Sequence, residues 1–172
     1  METNPRGIPK APFIENVEEY LAGATAEATL SKFDEMIKKY KFMESNLRTR
    51  EASLNSKIPE IKSTLETVKL LISQNELGEA LETDFELNDT LYAKATIEGA
   101  ENVCIWLGAN VMIEYPIDEA ENLLSTKLTQ ATTSLTQTAE DLEFLREQIT
   151  TMEVNLARVY NWDVKNRKKT KA

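Results

Sequence analysis

The sequence predicts an α+β fold that is mainly α: a long antiparallel coiled-coil hairpin with two β-hairpins at its base. Three observations predict it. The first is an apolar array at 3,4 spacing: Leu30, Phe33, Ile37, Tyr40, Glu44, Leu47, Glu51, Leu54, Ile58, Ile61, Leu65, Val68 and Ile72, broken only by Glu44 and Glu51. The second is a matching array of similar length: Leu124, Leu128, Ala131, Leu135, Thr138, Leu142, Leu145, Ile149, Met152, Leu156 and Val159, broken only by Thr138. A repeat held at 3.5 residues over several heptads stays buried only along a supercoiled partner, and two matched seams on one chain most simply pair with each other. The third is a change of period to two in the middle of the chain, where β-branched and aromatic residues gather.

Taken in order, residues 1–24 hold Pro5, Pro9, Pro12, Gly7 and Gly23. Prolines so spaced prevent a continuous helix and favour an extended tail. A helical turn fits within Ile14–Ala22, where Val17, Tyr20 and Leu21 share a face. The first coiled-coil helix occupies residues 25–77, starting near Thr25, with Gly78 as its C-terminal stop. At a rise of ~1.5 Å per residue, about 45 to 50 helical residues span roughly 70 Å. Residues 78–115 form the β-rich section, with strands at Leu91–Ile97, Val103–Leu107 and Val111–Tyr115 and a fourth at Phe85–Leu87. Gly108-Ala109-Asn110 reads as a tight turn and Glu98–Asn102 as a looser one, which suggests two successive β-hairpins. Two hairpins alone are marginal in water and leave open edges. They either complete a sheet or barrel with other subunits or fold back on the helices. The assembly candidates are Leu91, Tyr92, Val103, Ile105, Trp106, Leu107, Val111, Met112, Ile113 and Tyr115. The second helix occupies residues 116–165: Pro116 suits a first turn, and Asp118, Glu119 and Glu121 suit the positive end of the dipole. Residues 166–172 form a basic tail.

The shaft has two weak points. Pro59 interrupts the first array, and a stretch rich in Ser and Thr from Ser125 to Thr138 interrupts the second. In an antiparallel register whose facing positions sum to about 193, Pro59 lies opposite roughly Ser134. Pro59 is therefore either a hinge or a kink absorbed without mobility. Apolar residues off the seam gather near the open end: Met36, Phe42, Met43, Phe144, Val154, Tyr160 and Trp162. Such residues bind partners, or they cap the coiled coil and hold the N-terminal tail through Phe13 and Ile14.

Composition narrows the chemistry. The 172 residues include no His and one Cys, Cys104, so the usual imidazole base, a disulfide and a thiolate metal site are all missing. The scattered glycines form no phosphate-binding loop, and no cofactor or metal is expected. No secretory or membrane-spanning run is visible. The net charge is −9, and residues 165–172 contribute five bases and no acid. The remaining acidic body disfavours nucleic acid. Asn88-Asp89-Thr90 matches a glycosylation acceptor that reads as chance without an export signal. The expectation is a soluble intracellular chain with a reduced thiol and no enzymatic activity.

At this point a family resemblance emerges. Arg6–Pro9 (RGIP), Tyr40–Asn46 (YKFMESN), Ile58–Lys62 (IPEIK), Trp106–Ala120 (WLGANVMIEYPIDEA) and Val154–Lys165 (VNLARVYNWDVK) resemble the alpha class of prefoldin subunits, whose arm carries two β-hairpins. The resemblance implies a heterohexamer with one further alpha-class and four beta-class subunits, a β-barrel platform and six coiled-coil tentacles. It implies an ATP-independent, cytoplasmic holdase, with presence in the nucleus left open, that captures unfolded actin and tubulin and passes them to the cytosolic chaperonin. By the same resemblance, client contacts fall on Phe33, Met36, Phe42, Met43, Met152, Val154, Tyr160 and Trp162. Lys165, Arg167, Lys168, Lys169 and Lys171 either meet an acidic chaperonin surface or simply complement the helix dipole. The competing reading is a coiled-coil scaffold or tether without chaperone activity.

Overall fold

The computed structural model describes residues 2–23 and 25–170, with side chains described as far as Arg167. The elements are α1 (Val17–Tyr20), α2 (Ala26–Leu77), β1 (Leu81–Asn88), β2 (Leu91–Ile97), β3 (Asn102–Gly108), β4 (Val111–Pro116) and α3 (Ile117–Thr170). Two compact units emerge. One comprises Met1–Ser53 and Leu135–Ala172 and is called here the terminal unit; the other, Leu54–Ser134, is the hairpin unit.

Thr25 caps α2: the Ala28 N–H donates to its hydroxyl and the Thr29 N–H to its carbonyl. At the other end Gly78 takes a left-handed φ of 69°. The Gly78 and Glu79 N–H groups then return to the carbonyls of Asn75 and Gln74, which closes the helix. The helix runs through Pro59 without interruption. Pro59 is exposed, so the carbonyl of Asn55, deprived of its helical donor, can bond water. The Ser/Thr-rich stretch of α3 is also continuous. Thr129 and Thr132 donate their hydroxyls to the carbonyls of Ser125 and Leu128, four residues back, so these poor helix formers stay in the helix.

The second helix differs from expectation at both ends. Pro116 pairs with Asn102 as the last residue of β4, and α3 begins one residue later. It continues to Thr170, past the expected end at Lys165. Lysine and arginine are good helix formers at a negative dipole end, no breaker intervenes, and Arg167 pairs with Asp163 one turn back at 2.9 Å. The basic segment is therefore helical through Thr170; Lys171 lies outside the described residues, as do the side chains of Lys168 and Lys169.

In the terminal unit α2 and α3 pack antiparallel around Phe33, Ile37, Tyr40, Leu145, Ile149, Met152 and Val159. Lys41 meets Glu153 at 3.0 Å across this pair. In the hairpin unit the same two helices, again antiparallel, enclose Leu65, Val68, Ile117, Ala120 and Leu124. There Lys69 meets Glu121 at 3.8 Å. Both ion pairs are exposed and contribute little energy, but they fall close to the register the heptads predict.

The β section forms two separate antiparallel ribbons, β1–β2 and β3–β4. β1 is eight residues long where the sequence suggested three. Its acids hide a strict alternation: Leu81, Thr83 and Phe85 face Ile97, Ala95 and Ala93, and Asp84 lies opposite Lys94. The β1–β2 turn is Asp89-Thr90, inside the segment that resembled a glycosylation acceptor. The looser turn at residues 98–101 joins the two hairpins rather than forming one. The Asn75 amide holds it by donating to the Ala100 carbonyl at 2.7 Å and accepting its N–H at 3.1 Å. The β3–β4 turn places Ala109 and Asn110 at φ 49° and 61°. Left-handed geometry at both central positions matches the right-handed twist of the ribbon.

Candidate functional site

The N-terminal segment is neither extended throughout nor a free tail, which corrects the expectation: the chain reverses at Pro5–Gly7, so that Thr3 bridges Pro9 antiparallel, the Asn4 N–H donates to the Ile8 carbonyl and the Lys10 N–H to the Glu2 carbonyl. It lies on the terminal unit and buries Ala11, Ile14 and Leu21 in that unit's core. A ladder of α3 side chains receives it at seven-residue intervals. Asp141 accepts from the Asn4 amide at 2.6 Å and from Arg6 Nε at 2.7 Å. Gln148 Oε1 accepts the Ala11 N–H at 2.9 Å. Asn155 accepts the Ile14 N–H at 3.2 Å and donates to the Pro12 carbonyl at 2.6 Å. Trp162 Nε1 donates to Glu18 at 3.3 Å. From α2, the Tyr40 hydroxyl donates to the Pro9 carbonyl at 2.9 Å. Arg158 donates to the Ile14 carbonyl at 2.8 Å and lies 5.3 Å from the centre of the Phe13 ring. Asp141, Gln148 and Asn155 are buried, yet no buried side-chain nitrogen or oxygen among the described residues lacks a partner.

Sequence reasoning missed this ladder. Its members sit one position before the seam residues Leu142, Ile149 and Leu156, so they read as flank. The available signal was the heptad recurrence of a polar residue there, which a search for apolar stripes passes over.

The ionisable groups follow the geometry. Hydrogen bonds that the Arg6 guanidinium donates to the carboxylates of Asp141 and Glu140 raise its pKa further and keep it charged. Burial raises the Tyr40 phenol pKa above its ordinary value of about 10. A folded-state pKa above the unfolded one means the neutral phenol is favoured in the fold. That stabilisation is complete below the unfolded value and is lost as pH rises through the folded value. The terminal unit is therefore expected to loosen above about pH 10, and Tyr40→Phe to weaken that alkaline transition. Urea midpoints from pH 8 to 11 measure it; an identical alkaline loss in both proteins would contradict the assignment.

The predicted contact residues divide into two sets. Phe33 and Met152 are core: 2% and 0% exposed, they pack beneath the N-terminal segment and present no surface. The expectation is corrected there, because both occupy seam positions and a seam in a paired helix is buried. Met36, Met43 and Trp162 are half-buried against the same core, while Phe42, Val154 and Tyr160 are exposed. Pro9, Met36, Tyr40, Phe42 and Met43, with the stems of Lys38 and Lys39, line an apolar depression of about 540 Å³.

The hairpins carry the second exposed apolar surface. In β3–β4 one face turns onto the helices: Ile105 is buried with Leu65, Val68 and Leu124, and Val103 and Tyr115 pack at its edge. Of these assembly candidates Ile105 belongs to the hairpin unit's own core, and Val103 and Tyr115 are partly buried against it, so these three fold back on the helices. The alternation that buries them exposes Trp106 and Met112 on the other face. Leu91, Tyr92, Leu107, Val111 and Ile113 are also exposed. So are Phe85, Leu87 and Ile97, which the sequence reading did not include among the assembly residues. Among the described residues no group of three or more His, Cys, Asp or Glu side chains could hold a metal, and no helix is long and apolar enough to cross a membrane.

Paired long helices with two apolar hairpins and a polar ladder holding a peptide segment define an interaction protein. The comparisons give its family. The prefoldin subunit family model matches residues 40–162. Prefoldin subunit 3 of Elsinoe fawcettii is 60% identical over 97% of this chain and 85% of its own length. The probable prefoldin subunit 3 of Schizosaccharomyces pombe is 54% identical over 98% of both chains. Prefoldin subunit 3 of Homo sapiens is 51% identical over 95% of this chain and 84% of its own. The filamentous PFD of Methanocaldococcus jannaschii, solved by cryo-electron microscopy, shares the fold at a TM-score of 0.54, with 19% identity over 71% of this chain and 98% of that one. The chain belongs to the prefoldin subunit family, whose members are non-enzymatic chaperone components.

Proposed function

We propose that this chain is one of two alpha-class subunits in a heterohexamer with four beta-class subunits. In this reading the complex works in the cytoplasm as an ATP-independent holdase, and also in the nucleus if it is carried there. It captures unfolded chains, actin and tubulin among them, and passes them to the cytosolic chaperonin. The observation that carries the assembly half is the uncovered apolar side chains of both hairpins, Phe85, Leu87, Tyr92, Trp106 and Met112 among them, on ribbons too small to be stable alone. The capture half is supported by the exposed Phe42, Val154 and Tyr160 beside the half-buried Met36, Met43 and Trp162. Weak contacts of this kind on several arms add through effective concentration. Lys165 and Arg167 are exposed on the last turns of α3 and suit an acidic chaperonin surface.

Native mass spectrometry of the tagged chain from its own cells tests the assembly. The expected result is a complex of six small subunits containing this chain. Trp106→Ser with Met112→Ser is expected to reduce its incorporation at least tenfold while leaving helicity intact, since about 2 kcal/mol of burial is lost per large side chain. A monomer, or a pair with one large unrelated protein, would replace this reading with that of a tether. Within the arm, Pro59 acts as a hinge. Pro59→Ala is expected to slow hydrogen exchange at residues 55–62, and unchanged exchange there would remove the hinge.

A further inference from the structure

The N-terminal segment is held in an unusual way, and the way suggests what else could be held there. Between Pro9 and Ile14 the contacts to α2 and α3 are directed at main chain. Tyr40 donates to the Pro9 carbonyl, Gln148 accepts the Ala11 N–H, Asn155 bonds both the Pro12 carbonyl and the Ile14 N–H, and Arg158 donates to the Ile14 carbonyl. Every peptide carries carbonyls, and nearly every residue an N–H, so these side chains read extension rather than sequence. The side-chain requirement is confined to apolar positions: Ile8, Ala11 and Ile14 pack on the core, while Phe13 is 62% exposed beneath Arg158.

The spacing fits the same idea. Seven residues of α3 advance roughly 10 Å along the helix axis. Three residues of an extended chain advance about as far. Gln148 and Asn155 are seven apart and receive the N–H groups of Ala11 and Ile14, three apart. A heptad ladder of amides is thus matched to every third residue of an extended peptide. Pro9 and Pro12 keep residues 8–14 from forming a helix, and residues 8–10 pair back onto residues 2–4 as a strand would. In conformation and in mode of contact, this segment resembles a short piece of unfolded protein.

We propose that the groove holding residues 8–14 is a binding site for extended segments of unfolded proteins, which residues 8–14 occupy as an internal stand-in until such a segment displaces them. This rests on the holdase reading and adds to it a mode of recognition. The exposed aromatics supply adhesion, and the buried amides of α3 supply a sequence-independent reading of the backbone. Arg6 sits outside the groove and secures the segment through Asp141 and Glu140 at 2.7 and 2.8 Å. It therefore sets how often the groove is free.

The test uses the assembled complex and a fluorescent, reduced and alkylated protein that cannot fold, with binding read by anisotropy. An internal occupant lowers apparent affinity by the fraction of time the groove is filled, so Arg6→Ala is expected to tighten binding about three- to tenfold. A synthetic peptide of residues 2–16 is expected to compete with the probe on that variant. Adding Asn155→Leu to Arg6→Ala is expected to abolish the gain. Unchanged or weaker binding by Arg6→Ala, or a gain that survives Asn155→Leu, overturns the proposal and leaves the segment a permanent part of the core. A wild-type complex that does not bind the probe at all overturns the holdase reading and this proposal with it.

Discussion

Phe33→Ala is expected to destabilise the terminal unit by about 3–5 kcal/mol, the range for removing a fully buried phenylalanine. The ring is 2% exposed and packs 6.0 Å from Tyr20, in the same core as Ile37, Leu145 and Met152. Its removal takes apolar area out of the core and leaves a cavity between two helices that cannot collapse without losing the seam. Phe42→Ser, nine residues further along α2, removes a ring that is 68% exposed and is expected to cost less than about 1 kcal/mol. It is the variant expected to weaken capture of unfolded protein. Urea unfolding of both variants, paired with binding of an unfolded probe, separates the roles. Equal stability losses in the two would undo the division between core and surface drawn here.

The second large effect is local. In Asn155→Leu, the Ile14 N–H and the Pro12 carbonyl lose their partners in a site where Asn155 is completely buried. Each orphaned buried group costs about 1–3 kcal/mol. The segment can escape that cost by peeling into water, so the loss is capped by the free energy that docks it. The expected outcome is therefore detachment rather than unfolding. The Ile14 amide should exchange about 10- to 100-fold faster, while α3 amides near Leu145 keep their protection. Unchanged protection at Ile14 would mean that Asn155 does not hold the segment.

Much of the fold was legible because periodicity reports burial directly. The two arrays place α2 and α3, Thr25 and Gly78 delimit α2, and the turn at Gly108-Ala109-Asn110 marks β3–β4. β1 was legible only in part. Glu82, Asp84 and Glu86 suppress its strand signal, and the pairing of Leu81 through Glu86 with β2 overrides that local preference. The candidate site was less legible than the fold. Met36, Phe42, Met43, Val154, Tyr160 and Trp162 stand out as apolar residues off a seam, but how much of each is exposed depends on what the neighbouring segments cover.

The sequence by itself determined the helical pair, its antiparallel register, the two hairpins and the absence of histidine, because these follow from spacing and composition along one dimension. Only the tertiary structure decided that Phe33 and Met152 are core, that Ile105 faces the helices while Trp106 faces outward, and that the N-terminal segment lies on α3. Those outcomes depend on contacts between residues far apart in the chain, from Leu65 with Ile105 to Ala11 with Gln148 and Ile14 with Asn155. A hydrogen bond from a side-chain amide to a distant backbone has no periodic signature in the segment that supplies the backbone.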